Sequence, residues 1–127
     1  MELVAIVIGL ALLEYFYFLL RCGMARGRLG VPAPSTVGNP EFERYLRVQY
    51  NTIEQLVLFI PSAWLFGWFV SPLGAAWAGA VFIVGRALYA RAYLVDPAKR
   101  GPGFGLTILS NLVLTLGGLV GALIAYF

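Results

Sequence analysis

The residues able to do polar chemistry in this chain are few and lie close together. Between Glu41 and Glu54 the chain reads Glu-Phe-Glu-Arg-Tyr-Leu-Arg-Val-Gln-Tyr-Asn-Thr-Ile-Glu, and Arg86, Tyr89, Tyr93 and Arg100 follow further on. At about 100° per residue, the step of an α-helix, Arg44, Arg47, Asn51 and Glu54 fall within an arc of roughly 80°. Tyr45, Leu46, Val48, Tyr50 and Ile53 occupy the rest of the circumference. A polar stripe on an otherwise apolar helix is inside out for a water-soluble protein, and suits a membrane bundle that turns its polar face to a cavity. With Arg86 as origin, Tyr93 lies at about −20° and Tyr89 at about −60°. These three share a face while Arg91 points elsewhere, and Arg100, just beyond Pro97, could fold back over that face.

Composition removes most other chemistries. Of 127 residues, 61% are hydrophobic and only 12% charged, with a mean hydropathy of +0.84, so a soluble domain is excluded in favour of an integral membrane protein. Without histidine there is no histidine general base and no histidine-bound metal. The single cysteine, Cys22, excludes an internal disulfide and a cysteine zinc cluster, and no metal is expected. Cys22 itself reads as a small apolar filler near a helix end. The net charge of +3 has no soluble domain to present it to nucleic acid, and no nucleic-acid partner is expected.

Four spans would position the polar groups. Residues 3–25 form the first; Glu2 precedes its apolar run and Arg21, Arg26 and Arg28 follow, the reverse of a signal peptide's charge order. Gly27 to Pro40 is a turn-rich connection, and Asn39-Pro40-Glu41 has the form of a helix start. The second span covers 41–70. Its uninterrupted apolar part, Leu56–Val70, is about 22 Å long against a hydrocarbon core of about 30 Å, so the polar stripe begins at the membrane surface. Pro61 is expected to kink this helix. Ser71-Pro72 turns the chain into a third span at 73–95, which Asp96-Pro97 ends; after a loop at 98–103, a fourth span covers 104–127. The fold class is all-α: one membrane domain over residues 1–127, an up-down-up-down four-helix bundle. All nine Lys and Arg lie at or near the Arg21–Arg47 and Arg86–Arg100 connections, which places both on the cytoplasmic side. The spacings Gly117-x-x-x-Gly121 and Gly74-x-x-x-Ala78 permit close helix contact.

Depth can be counted from the outer helix ends at about 1.5 Å per residue: Glu54 comes out roughly 24 Å from Val70, Arg86 roughly 20 Å from Leu73, Asn111 near 24 Å from Phe127, and Glu14 nearer 17 Å from Leu3. A charge at mid-bilayer costs about 2.5–3.5 kcal/mol on insertion scales. The expected compensation is a Glu54–Arg86 ion pair, with Asn51 or Asn111 hydrogen-bonded beside it.

The pattern Glu43-Arg44-x-x-Arg47-x-Gln49-x-Asn51-x-x-Glu54, followed by Arg86-x-x-Tyr89-x-x-x-Tyr93 and Arg100, resembles the MAPEG family, the membrane-associated proteins in eicosanoid and glutathione metabolism. Within it the chain looks closest to the branch of leukotriene C4 synthase and microsomal glutathione transferase type 2. The resemblance spans nearly the whole chain. It implies a homotrimer that binds glutathione as co-substrate between subunits near the cytoplasmic face, with Arg26, Arg47, Gln49, Asn51, Glu54, Arg86, Tyr89 and Tyr93 as its contacts. Arg26 would come from the neighbouring subunit. It also implies that Arg100 activates the thiol, with Tyr93 as a second donor. Where that branch has tyrosine after the motif glutamate, this chain has Gln55, so one glutathione contact is expected to differ. The implied activity is that of a membrane glutathione transferase or peroxidase acting on a lipophilic electrophile or lipid hydroperoxide that enters from membrane lipid, in a bacterial inner membrane or the endoplasmic reticulum. The alternatives are a non-enzymatic lipid-binding scaffold of the same family, which would lack part of the thiol-activating set, and a small transporter, for which paired broken helices are missing.

Overall fold

A computed structural model describes residues 1–127 as four long helices: α1 (Glu2–Arg28), α2 (Pro40–Phe69), α3 (Pro72–Val95) and α4 (Gly101–Tyr126), with a 3-10 turn over Pro97–Lys99. Each of the four is long and apolar enough to cross a membrane. The bundle is all-α, and the protein is a multi-pass integral membrane protein.

The helix starts follow from local chemistry. The Asn39 side chain accepts from the backbone N–H groups of Glu41 (2.9 Å) and Phe42 (3.2 Å). Pro40 opens α2, and Glu41 and Glu43 lie near its positive end. Ser71 caps α3 by accepting from Gly74 N–H at 3.0 Å. Asp96 accepts from Ala98 N–H at 3.0 Å and turns the chain out of α3.

Two boundaries differ from the sequence reading. The loop expected at 98–103 is mostly helical: Gly101-Pro102-Gly103 forms the first turn of α4, where a proline loses no hydrogen bond because the first N–H groups have no partner inside the helix. At the other end of the chain α1 runs through Gly27 to Arg28, since basic residues suit a helix C-terminus and the backbone first takes a positive φ at Gly30. Through Pro61, α2 is continuous.

The interior is divided along the bundle axis. Val4, Val7, Phe59, Phe82 and Leu114 fill the end where α2 turns into α3, and the Phe59 and Phe82 rings stack with centroids 4.2 Å apart. Toward the other end the buried side chains include Asn51, Thr52, Arg86, Thr107 and Asn111. The outer surface is apolar, with Leu13, Phe16, Val57, Trp68 and Trp77 exposed where lipid would lie. The polar end is tied together by Arg44, which donates to the carbonyls of Leu94 (3.2 Å) and Val95 (3.3 Å) at the end of α3. Arg28 closes the α1–α2 connection onto Glu41 at 3.1 Å.

One close approach sets the geometry of that end. A Cβ at Gly103 would run into the Tyr89 backbone, and one at Gly85 would come within 3.1 Å of the Gly103 carbonyl. The backbones of α3 and α4 therefore touch, and Arg100, one turn earlier, is brought to the Tyr89 and Tyr93 face. The Gly117–Gly121 face of α4 is used within the chain, packed on Phe66 and Phe69 of α2 and on Val70 just beyond it.

Candidate functional site

A cleft of about 350 Å³ opens at the charged end of the bundle, lined by Arg47 and Asn51 of α2, Tyr89 and Tyr93 of α3, Arg100 and Phe104. Its size is in the range of small-ligand pockets. The rings of Tyr89 and Tyr93 stack with centroids 5.5 Å apart. Phe104 closes one side, tilted against Tyr89 at 6.4 Å. Nothing in the sequence pattern marked Phe104; it enters the site because the first turn of α4 starts earlier than expected.

Behind the cleft sits Arg86, at 0% exposure. Its Nη2 donates to Asn51 Oδ1 at 2.7 Å and to Thr52 Oγ1 at 3.2 Å, and its Nη1 to Thr107 Oγ1 at 3.5 Å. The guanidinium carbon lies 4.2 Å from the centroid of the Tyr89 ring, a cation–π contact that desolvation strengthens. Thr52 and Thr107 were not expected here. Each hydroxyl donates to the carbonyl four residues back, Val48 at 2.7 Å and Gly103 at 3.0 Å, which leaves its oxygen free to accept from Arg86. A threonine that back-bonds within its own helix can be buried in apolar surroundings and still serve a cation.

The expected Glu54–Arg86 ion pair is not formed. Glu54 pairs with Arg47 at 3.7 Å, two helical turns away, and both side chains are about half exposed, at 58% and 49%. Equal depth was the wrong criterion, because Glu54 lies on the outer rim of the stripe while Arg86 points to the bundle axis. Asn51, on the inner edge, takes the arginine. Asn111 serves a separate contact, donating to the Gln55 side chain at 3.0 Å and to its backbone carbonyl at 3.3 Å. Gln55 thus joins α2 to α4 and is buried.

Two further residues lie outside the cleft of the single chain. Gln49 is half-buried and does not line it. Arg26 Nη1 donates to the carbonyls of Val31 (3.2 Å) and Ser35 (2.7 Å), and its guanidinium stands 4.6 Å over the Phe42 ring. It folds its own loop, with Nη2 and Nε not engaged by that contact. Arg100 is exposed and held only weakly, through Nη1 to the Pro97 carbonyl at 3.4 Å, so its guanidinium can reach a ligand without breaking a strong bond.

The assembled cleft offers two exposed guanidiniums, a buried amide and two phenols, with the Glu54 carboxylate paired to one of the guanidiniums and an apolar outer surface a few residues away. That is the equipment for an anionic polar ligand met by a lipophilic one. A four-span membrane protein with a polar, arginine-lined cleft at one end of the bundle is the class these features define. The chain belongs to the MAPEG family, which it matches over residues 4–120. It is 45% identical to an uncharacterized protein of Synechocystis over 119 residues, covering 94% of this chain and 87% of that protein. It is 39% identical to microsomal glutathione S-transferase 2 of Homo sapiens over 119 residues, covering 94% of this chain and 81% of the relative. With leukotriene C4 synthase of Bos taurus it shares 37% identity over 98 residues, 77% of this chain and 65% of that protein.

Proposed function

We propose that this protein is a membrane glutathione transferase, with glutathione peroxidase activity toward lipid hydroperoxides, working as a homotrimer with its cleft at the cytoplasmic side. The observation that carries this reading is the convergence of Arg47, Asn51, Tyr89, Tyr93 and Arg100 on one cleft, in a chain related to glutathione transferases over most of its length. Glutathione has two carboxylates and one ammonium. Arg47 and Arg100 would meet the carboxylates and the thiol, Glu54 the ammonium, and Asn51 a peptide group. Arg86 acts from behind by holding Asn51 and Tyr89.

The nucleophile is the thiolate, whose parent thiol has a pKa of about 8.5. A guanidinium within hydrogen-bond reach favours the anion, and lowering the pKa by two units takes about 2.7 kcal/mol of differential stabilisation. Arg100 is placed for this, and Tyr93 can donate a second hydrogen bond. The sulfur then attacks an electrophilic carbon to form a thioether. With a hydroperoxide it attacks the distal oxygen, breaks the O–O bond and releases the alcohol; the resulting sulfenic acid reacts with a second glutathione to give the disulfide and water.

The open side of the cleft supports an oligomer. Tyr50, Ile53 and Val57 are exposed on the same helix as the half-exposed Arg47 and Glu54. A neighbouring protomer covering that side would bring the free nitrogens of its Arg26 to the ligand. The lipophile would enter laterally from the bilayer, and the membrane is either a bacterial inner membrane or the endoplasmic reticulum. The test is the ultraviolet absorbance of thiolate on adding glutathione to the purified protein, followed by turnover with an aromatic electrophile. Absence of both signals would refute the reading and favour a lipid-binding scaffold.

A further inference from the structure

Glu14 is a half-buried acid that the proposed mechanism does not use. Its Oε1 is buried without a protein partner, and so is Nε of Arg86. Arg86 spends Nη1 and Nη2 on Asn51, Thr52 and Thr107, which leaves Nε without an acceptor. Depth counted from Leu3 and Leu73 had put these residues out of step, but the contacts between α1 and α3 correct that count.

The two helices run in the same direction, and their register can be read at two places. A Cβ at Gly79 would overlap Val7, and Phe18 shares a buried cluster with Ala90. Val7 to Gly79, Phe18 to Ala90, and Glu14 to Arg86 are each 72 positions apart. Glu14 and Arg86 therefore lie between a direct contact and a shared buried cluster. Each is seven residues beyond the first, about 700° of helical rotation, hence on nearly the same face. Neither residue takes part in a direct ion pair. A water between Glu14 Oε1 and Arg86 Nε would satisfy both, and buried polar sites take such waters.

We propose that Glu14 is the counter-charge of Arg86 and its positioning residue: the carboxylate, bridged by water to Nε, holds the guanidinium against Asn51 and Tyr89 and so sets the wall of the cleft. A guanidinium at this depth is costly unless paired, and Glu54 is engaged with Arg47 instead. Asn51 and Tyr89 both line the cleft, so a shift of Arg86 moves two ligand-facing groups together. Arg100 lies apart from this chain of contacts. The effect on binding rests on the cleft taking glutathione; the effect on the pair itself does not.

The experiment is a double-mutant cycle on the full-length protein in detergent, with Glu14→Gln, Arg86→Leu and both together, read by unfolding midpoint and by glutathione calorimetry. Glu14→Gln is expected to weaken glutathione binding about tenfold, the loss typical of a charged hydrogen bond. Turnover at saturating glutathione should stay within about threefold of wild type, because Arg100 is untouched. In the Arg86→Leu background the same change should have no further effect on affinity, and the midpoint losses should not add. Glu14→Asp, which keeps the charge, should recover most of the affinity. Additive midpoints, or wild-type affinity in Glu14→Gln, would overturn the proposal. If the wild-type protein binds no glutathione, the proposed function fails, while the midpoint cycle still decides whether Glu14 and Arg86 are coupled.

Discussion

Replacing Asn51 by Leu tests whether the buried guanidinium organises the polar end of the bundle. The wild-type amide accepts the shortest of the Arg86 hydrogen bonds, at 2.7 Å, from a side chain with no exposure to solvent. Hydrogen bonds to charged groups contribute about 1.5–3 kcal/mol in soluble proteins. Measured interhelical bonds in membranes are weaker, averaging about 0.6 kcal/mol with a maximum of about 1.7, because the unfolded chain in the membrane also finds partners. Thr52 accepts from the same nitrogen at 3.2 Å and would retain part of the interaction, whereas leucine fills the amide's volume and offers no acceptor. The expected destabilisation is about 1–2 kcal/mol. Asn51→Asp keeps an acceptor facing the cation and should lose much less. The assay is reversible unfolding in mixed detergent micelles without ligand, in parallel with glutathione calorimetry. Affinity should fall further than stability alone requires, since Asn51 also lines the cleft. If Asn51→Leu is as stable as wild type, or no less stable than Asn51→Asp, the account of Arg86 as a buried and partnered charge is wrong.

Other substitutions separate binding, thiol activation and packing. Arg100→Ala should lower conjugation at neutral pH by about tenfold or more and shift the pH–rate profile to higher pH, with little change in glutathione affinity; an unchanged profile would remove Arg100 from thiol activation. Glu54→Gln should change stability by less than about 0.5 kcal/mol, because its partner Arg47 is half exposed and such pairs contribute little. It should still weaken glutathione binding in calorimetry, and full affinity would exclude Glu54 as the ammonium contact. Gly103→Val should destabilise the bundle by about 3 kcal/mol or prevent folding, since a side chain there collides with the Tyr89 backbone; a normal unfolding midpoint would contradict the contact between α3 and α4.

Much of the arrangement was legible before any coordinates, and for local reasons. The Asn39 cap and the breaks at Ser71-Pro72 and Asp96-Pro97 operate within three residues, so the identity of those residues is enough to locate them. The shared face of Arg86, Tyr89 and Tyr93 follows from helical rotation alone, and in the structure Arg86 and Tyr89 are buried, Tyr93 is half-buried and Arg91 is exposed. The cleft residues Arg47, Asn51, Tyr89, Tyr93 and Arg100 were all named from spacing and family pattern. Phe104 and the two threonines were missed because their part depends on which helix lies opposite.

The sequence by itself determined the membrane-spanning class, the four helices, the polar stripe on α2 and the absence of histidine or paired-cysteine chemistry. These are properties of composition and of a 3.6-residue period, and each can be evaluated one helix at a time. Only the tertiary structure decided which polar groups meet: Asn51 rather than Glu54 on Arg86, and Gln55 on Asn111. Partner choice depends on the rotation and axial offset between neighbouring helices. Contacts such as Val7 on Gly79 and Gly103 on Tyr89 set that offset, and a shift of two residues, about 3 Å, is enough to exchange one partner for another.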